Sequence, residues 1–187
     1  MKIAVLVDLK FSEKSGGHVK YWERISKSLL KKKKDFDLTI FFLGDYNRII
    51  FISKNIRYIL QKPIVSSNIL RKFGIDADST DLFPLNPFLL IKLKKFDLIH
   101  TTDQFFSMSK TAKLASKLWC IPLTTSIHTD TPPYSRYYVE KIIKNYFSFF
   151  RVDTLLIKKF KIPEYCEKKM FKKIYNYIKK VDHAMVA

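Results

Sequence analysis

Residues 96–134 read FDLIHTTDQFFSMSKTAKLASKLWCIPLTTSIHTDTPPY, and their periodicity sets the fold. Phe96-Asp97-Leu98-Ile99-His100 is a short apolar run that ends in polar Thr101-Thr102-Asp103, the pattern of a strand leaving a core. From Ser107 to Leu118 the spacing changes. Met108, Thr111, Ala112, Ala115 and Leu118 recur every three or four residues, which predicts a helix. Cys120-Ile121-Pro122 ends it, because proline cannot continue a helix. Leu123 to Ile127 is a second strand, and it too runs into polar residues, His128-Thr129-Asp130-Thr131-Pro132-Pro133. Strand, helix, strand with a crossover of this length is a βαβ unit, and a βαβ unit makes a parallel sheet.

The pattern extends in both directions. Ile3 to Val7 is a continuous apolar, β-branched run closed by Asp8, as in a strand covered on both faces. It is too short, and lacks the small-residue cleavage site, for a signal peptide. Gly16-Gly17 opens a helix in which Val19, Trp22, Ile25, Leu29 and Leu30 share one face. Leu38 to Leu43 and Ile56 to Leu60 read as further strands, and Asn86-Pro87 as a helix start. Between residues 45 and 95 the pattern is otherwise weak. Helices are expected through Tyr137 to Phe149 and from about Pro163 to Lys180, then a last strand over Val181 to Ala187. The fold class is therefore α/β: one Rossmann-like domain over residues 1–187, a parallel sheet with helices on both faces. Ligands of such sheets bind beyond the carboxyl ends of the strands, where strand order reverses. Three loops follow from that rule: Asp8 to His18, His100 to Gln104, and His128 to Tyr134.

The composition bounds the function. Of the 187 residues 47% are hydrophobic, enough for a core, and no apolar run reaches the length of a membrane helix. Thirty-five basic and seventeen acidic residues leave a net charge of +18, which favours phosphate-rich or anionic partners, an anionic membrane surface included. The lysines concentrate at Lys31 to Lys34 and from Lys158 to Lys180. An AT-rich genome would also write such a lysine-rich surface. Among the 28 aromatic residues most lie in apolar periodic runs and read as core. With no helix-turn-helix, zinc-finger or RNP-like segment, nucleic acid is not expected as a partner. Cys120 and Cys166 have neither C-x-x-C nor metal spacing, so reduced thiols in the cytoplasm are expected.

Motifs narrow the chemistry. Gly16-Gly17-His18 allows close backbone approach of a ligand at a helix N-terminus, which suits a phosphate, although it also suits a plain turn. G-x-G-x-x-G, G-x-S-x-G and Walker loops are all missing. His128-Thr129-Asp130 puts an imidazole and a carboxylate at a strand end, either for acid–base work or as a capping Asp beside a partly exposed His. His100 and Asp103 form a looser pair, with His100 read as a packed strand-end residue. Asp76-Ala77-Asp78 is a D-x-D of the kind that holds a divalent cation in single-domain sugar transferases, and it arises easily by chance.

Three segments in order, MKIAVLVDLKFSEKSGGHVKYWERISKSLL, residues 96–134 and the closing VDHAMVA, resemble the N-terminal domain of GT-B glycosyltransferases, in particular retaining family 4. That family shows a Gly-Gly loop after the first strand, then "fDlIH", "giPlv.s.H.d" and "aD.vi.vS". The resemblance implies an acceptor-side domain that helps move a sugar from a nucleotide sugar to a glycan or lipid-linked acceptor. It implies that Gly16 and Gly17 approach the donor phosphates and that His128 contacts the transferred sugar as the catalytic histidine. His18, Asp103, Thr129, Asp130 and Tyr134 would face the acceptor. No cofactor and no metal are implied; the nucleotide sugar is a substrate. The family's second, donor-binding domain would begin near Ala187, so this chain is expected to be an incomplete catalyst that needs that domain or a partner subunit. The alternative expectation is a non-catalytic subunit that binds an anion or a membrane, located in the cytoplasm or peripherally on the inner membrane face.

Overall fold

The computed structural model describes residues 1–13, 15–31, 35–73, 79–128 and 130–186. Its strands are β1 (Lys2–Lys10), β2 (Asp37–Leu43), β3 (Arg48–Ser53), β4 (Ile56–Gln61), β5 (Leu98–Thr101), β6 (Leu123–Ile127) and β7 (His183–Val186). They form one sheet in the order β3-β4-β2-β1-β5-β6-β7. The fold is α/β and Rossmann-like, with every pairing parallel except β3 with β4. The hairpin that β3 makes with β4 was not among the expected elements. Only Lys54 and Asn55 separate β3 from β4, too short a connection for a crossover, so the chain turns back on itself. β3 is an edge strand, and Ile49 and Phe51 on it are exposed.

Alternation along the strands divides the core in two. Val5, Val7, Ile40, Phe42 and Tyr58 pack with Val19 and Trp22 of α1 (Gly17–Leu29) on one face. Ala4, Leu6, Phe41, Leu43 and Ile99 pack on the other. There they meet Leu89 and Leu93 of α2 (Pro87–Leu93) and Met108, Ala112 and Ala115 of α3 (Ser107–Trp119). This is the two-sided cover that an unbroken apolar β1 requires. Asn86 caps α2 by accepting the Leu89 N–H at 2.9 Å, with Pro87 at the first helical position. α3 stops at Cys120, which takes a left-handed conformation (φ 54°).

α4 (Thr131–Tyr146) starts six residues earlier than its periodicity suggests and stops three residues sooner. Pro132 and Pro133 therefore sit in its first turn rather than in a loop; a proline there gives up no hydrogen bond. A one-turn helix, α5 (Val152–Thr154), leads through a π-helical stretch to α6 (Ile162–Ile178), which packs on α4. Arg136 of α4 pairs with Glu164 and Glu167 of α6 across that contact, at 3.2 and 3.5 Å.

Two motif aspartates act as clamps at the amino edge of the sheet. Asp97 accepts the Lys2 N–H at 2.6 Å and gives its own N–H to the Lys2 carbonyl. Asp182 does the same with Leu123 at 2.8 Å. The aspartates of "FDLIH" and "VDHAMV" are thus explained by strand pairing. Another expectation fails: Phe51, Phe88, Phe149, Tyr165 and Phe171 are each more than half exposed, so the aromatic residues are not mainly core.

Candidate functional site

Strand order reverses at β1, because the chain passes from β1 to β2 on one side and returns through β5 on the other. Beyond the carboxyl ends of β1, β5 and β6 lies a cavity of about 510 Å³, within the usual size of a small-molecule site. Gly16, Gly17, His18, Asp103, His128 and Tyr134 all line it. Asp130 is exposed, occupies the N-cap position of α4 without a side-chain cap bond, and is not among the lining residues. Thr129 and the Asp76-Ala77-Asp78 motif lie outside the described residues. Among the described residues no group of three or more His, Cys, Asp or Glu is placed to hold a metal ion.

The floor is made by two carboxylates. Asp8 is 2% exposed. Its Oδ1 accepts the Asp81 N–H at 3.1 Å and its Oδ2 the Met108 N–H at 2.8 Å. Burial, and then the charge of Asp103, push its carboxyl well above the usual carboxylate range. Asp103 accepts three bonds on Oδ1, from the Phe105 and Phe106 N–H groups and from the Ser109 hydroxyl. Its Oδ2 is buried and has no hydrogen-bond partner among the described residues. Burial raises Asp103 too, against the Ser109 bond, those N–H groups and the charge of Lys110.

One wall is a ring cluster. His128 lies between His18 and Tyr21, with ring centroids at 4.9 and 5.1 Å. Behind it, Trp22 packs on His100 at 5.3 Å. Ser126 Oγ joins the two histidines: His128 Nε2 is 2.7 Å from it and His100 Nε2 is 3.0 Å. His100 Nδ1 meets Thr124 Oγ1 at 2.8 Å, and that hydroxyl is directed at the Ile99 carbonyl. Proton bookkeeping then orders the chain. Thr124 gives its proton to Ile99, so it accepts from His100 Nδ1–H; His100 Nε2 accepts from Ser126; Ser126 accepts from His128 Nε2–H. His128 Nδ1 is left as a hydrogen-bond acceptor. Burial lowers His128 from its ordinary value, and burial together with the neighbouring His128 lowers His100 to about 4, so both rings are neutral at pH 7.

The rim beside this wall is the start of α1. Gly16 supplies no side-chain cap, and the first turn has no acidic residue to offset the positive helix end. A Cβ added at Gly17 would meet nothing within 4 Å. Packing does not require glycine at that position, and Gly17 lines the cavity.

Sequence reading placed Asp8 and Gln104 at the ends of two of its three ligand loops without giving either a role, and missed Phe106 and Tyr138 as lining residues. Asp8 had a signal, a carboxylate closing an otherwise apolar strand. The aromatics had none, because their periodicity matches core. Gln104 is fixed by its Nε2, which donates to Thr125 Oγ1 and to the Ser126 carbonyl.

The fold and candidate site together define an α/β protein with a cleft at the switch point of its sheet. No known protein family and no curated protein sequence matches the chain.

Proposed function

We propose that the chain is the acceptor-side domain of a cytoplasmic GT-B glycosyltransferase resembling family 4. The supporting observation is that six residues selected by the sequence resemblance, Gly16, Gly17, His18, Asp103, His128 and Tyr134, line one cavity at the carboxyl edge of the sheet. A donor-binding unit, further along the polypeptide or on a partner chain, would complete the cleft. The acceptor oxygen bonds to the anomeric carbon, the bond from that carbon to phosphate breaks, and the nucleoside diphosphate and a proton leave. The α1 N-terminus receives the phosphates, and neutral His128 orients the sugar through its free ring nitrogen. The test supplies the donor-binding unit and compares sugar transfer by the parent chain and by His128→Ala. A loss of about 100-fold is expected, typical of a positioned polar group in a transition state; unchanged transfer overturns the role.

A second reading is a membrane-docking subunit. No described helix is long and apolar enough to cross a membrane. On α6 and its C-cap Lys179, however, Tyr165, Phe171 and Tyr175 are exposed among Lys168, Lys169, Lys172 and Lys179. The aromatic residue of α6 that packs inward is Tyr177, buried with its hydroxyl 3.0 Å from Thr101 Oγ1. An exposed face of lysines and aromatics suits the interface of an anionic lipid surface. The two readings are compatible when the acceptor is lipid-linked.

A further inference from the structure

The connection from β4 to α2 forms a tip beside the cleft. Its two described arms, residues 62–71 and 79–86, run side by side. Ser66 and Asp81 make an antiparallel bridge, the Leu82 N–H donates to the Val65 carbonyl at 2.8 Å, and the Ser67 N–H donates to the Thr80 carbonyl at 2.9 Å. Asp81, buried, ties the arms together. Its Oδ2 accepts the Ile64 N–H and its Oδ1 the Val65 and Phe83 N–H groups, each at 3.0 Å. Its own N–H donates to Asp8 on the cleft floor at 3.1 Å. The side chains of Ile64, Val65, Leu82 and Phe83 are nevertheless in water, between 39% and 42% exposed. Leu82, with Ser67, Leu70 and Thr80, also lines the cavity, so the tip borders the cleft. The chain then enters α2, where Phe88 and Ile91 are 70% and 71% exposed.

Entry into a lipid layer sets a condition that most loops fail. Away from water an open backbone N–H has no partner, and its burial is costly. Here the N–H groups of all four apolar tip residues are already bonded within the chain. Charge points the same way. Asp81 is the one acidic residue among the described residues of 62–95, and it is buried, whereas Lys62, Arg71, Lys92, Lys94 and Lys95 are exposed. Protein–protein interfaces are depleted of lysine, and a second copy of a chain with net charge +18 would meet its own positive field. An anionic lipid layer offers phosphates to the lysines and an acyl boundary to the apolar side chains.

We infer that the tip formed by Ile64, Val65, Leu82 and Phe83, with Phe88 and Ile91 of α2, docks on an anionic lipid surface and holds the cleft mouth against it. This goes beyond the α6 reading, because the tip carries its own apolar residues and cations and needs none from α6. Docking does not rest on the transferase reading, which adds only what the cleft does with a molecule held in that surface.

The test sediments the chain with mixed phosphatidylcholine–phosphatidylglycerol vesicles and with pure phosphatidylcholine vesicles. Val65→Ser with Phe83→Ser is expected to weaken binding to the mixed vesicles by about tenfold, since two apolar side chains lose part of their transfer free energy. Asp81 holds only backbone groups of these two residues, so thermal unfolding of the double variant should match the parent. If the variant does not fold, the parent chain in small bicelles with spin-labelled lipid decides: the Val65 and Phe83 amide NMR signals should broaden, and sharp signals there overturn the inference. Equal vesicle binding by parent and double variant overturns it, as does equal binding of the parent to pure phosphatidylcholine. Loss of binding on changing Lys168, Lys172 and Lys179 to Gln, with the tip variant binding as the parent does, leaves the α6 reading and removes this one; the reverse pattern supports the tip and removes α6. Self-association that the double variant abolishes, in a chain that binds no vesicle, would make the tip an interface between copies and overturn the inference.

Discussion

Gly17→Ala separates what the fold needs from what a ligand needs, because the two respond with opposite sign. Gly17 is the first residue of α1, its backbone is not in the left-handed region, and an added Cβ would have no neighbour within 4 Å. The native state therefore loses nothing when the methyl is added. The unfolded chain loses conformational freedom, and a compatible Gly→Ala change of this kind stabilises by about 0.4–1 kcal/mol. For a domain of this length that raises Tm by roughly 1–4 °C. Gly17 lines the cavity, so under the proposed function the same methyl would crowd a phosphate approaching the first N–H groups of α1. Losing one hydrogen bond to a charged group costs about 1.5–3 kcal/mol, which is about 10- to 100-fold in Kd. The assays are thermal unfolding by circular dichroism and titration with inorganic pyrophosphate. A fall in Tm of 2 °C or more, beyond any compatible substitution, would show that packing does demand glycine. Unchanged pyrophosphate binding would refute the ligand-space reasoning even if Tm rises.

Replacing His100 by Gln should flatten the acid limb of the stability curve. The folded value of His100 is lowered to about 4 from 6.5, so between those pH values the unfolded chain binds more protons and stability is lost as pH drops from 6.5 to 4. Its share is roughly 3 kcal/mol across that window. The raised Asp8 carboxyl works in the opposite direction, gaining stability as pH falls through its folded value, so only the difference between parent and variant isolates His100. Urea unfolding at pH 4.5 and 7 checks this, and identical pH profiles would refute it. On α6, changing Lys168, Lys172 and Lys179 together to Gln should weaken sedimentation with anionic phospholipid vesicles by about 100-fold at low salt, at about 1 kcal/mol per lysine; no salt-sensitive binding by the parent chain would remove the docking reading.

The division between sequence and structure follows from the range of the forces. The alternation of β1, α1, β5, α3 and β6 was legible because each element must bury a face, and burial writes its period into adjacent residues. So was the carboxyl edge of the sheet as the place of the site, because each strand there runs from apolar into polar residues. The β3–β4 hairpin was not: Arg48–Ser53 has no strong alternation, and its strand state comes from pairing with β4. Nor was the early start of α4, where Thr131-Pro132-Pro133 reads as loop until the turn is seen to need none of the missing N–H groups.

The candidate site divides in the same way. Gly16, Gly17 and His128 stood out as residue types at strand and helix ends. Asp8 and Asp103 became a pair only through a fold that places a β1 carboxylate beside one from 95 residues later, buries both and lets their charges interact. The link from His128 through Ser126 to His100 needs β5 and β6 side by side in register, His100 opposite Thr124. That no described residue lining the cavity of so basic a chain is Lys or Arg is likewise a tertiary fact. Sequence sets which side chains exist and which faces they bury; only the packed sheet sets which distant polar groups share a cavity, because buried charge and hydrogen bonding depend on neighbours that no local pattern encodes.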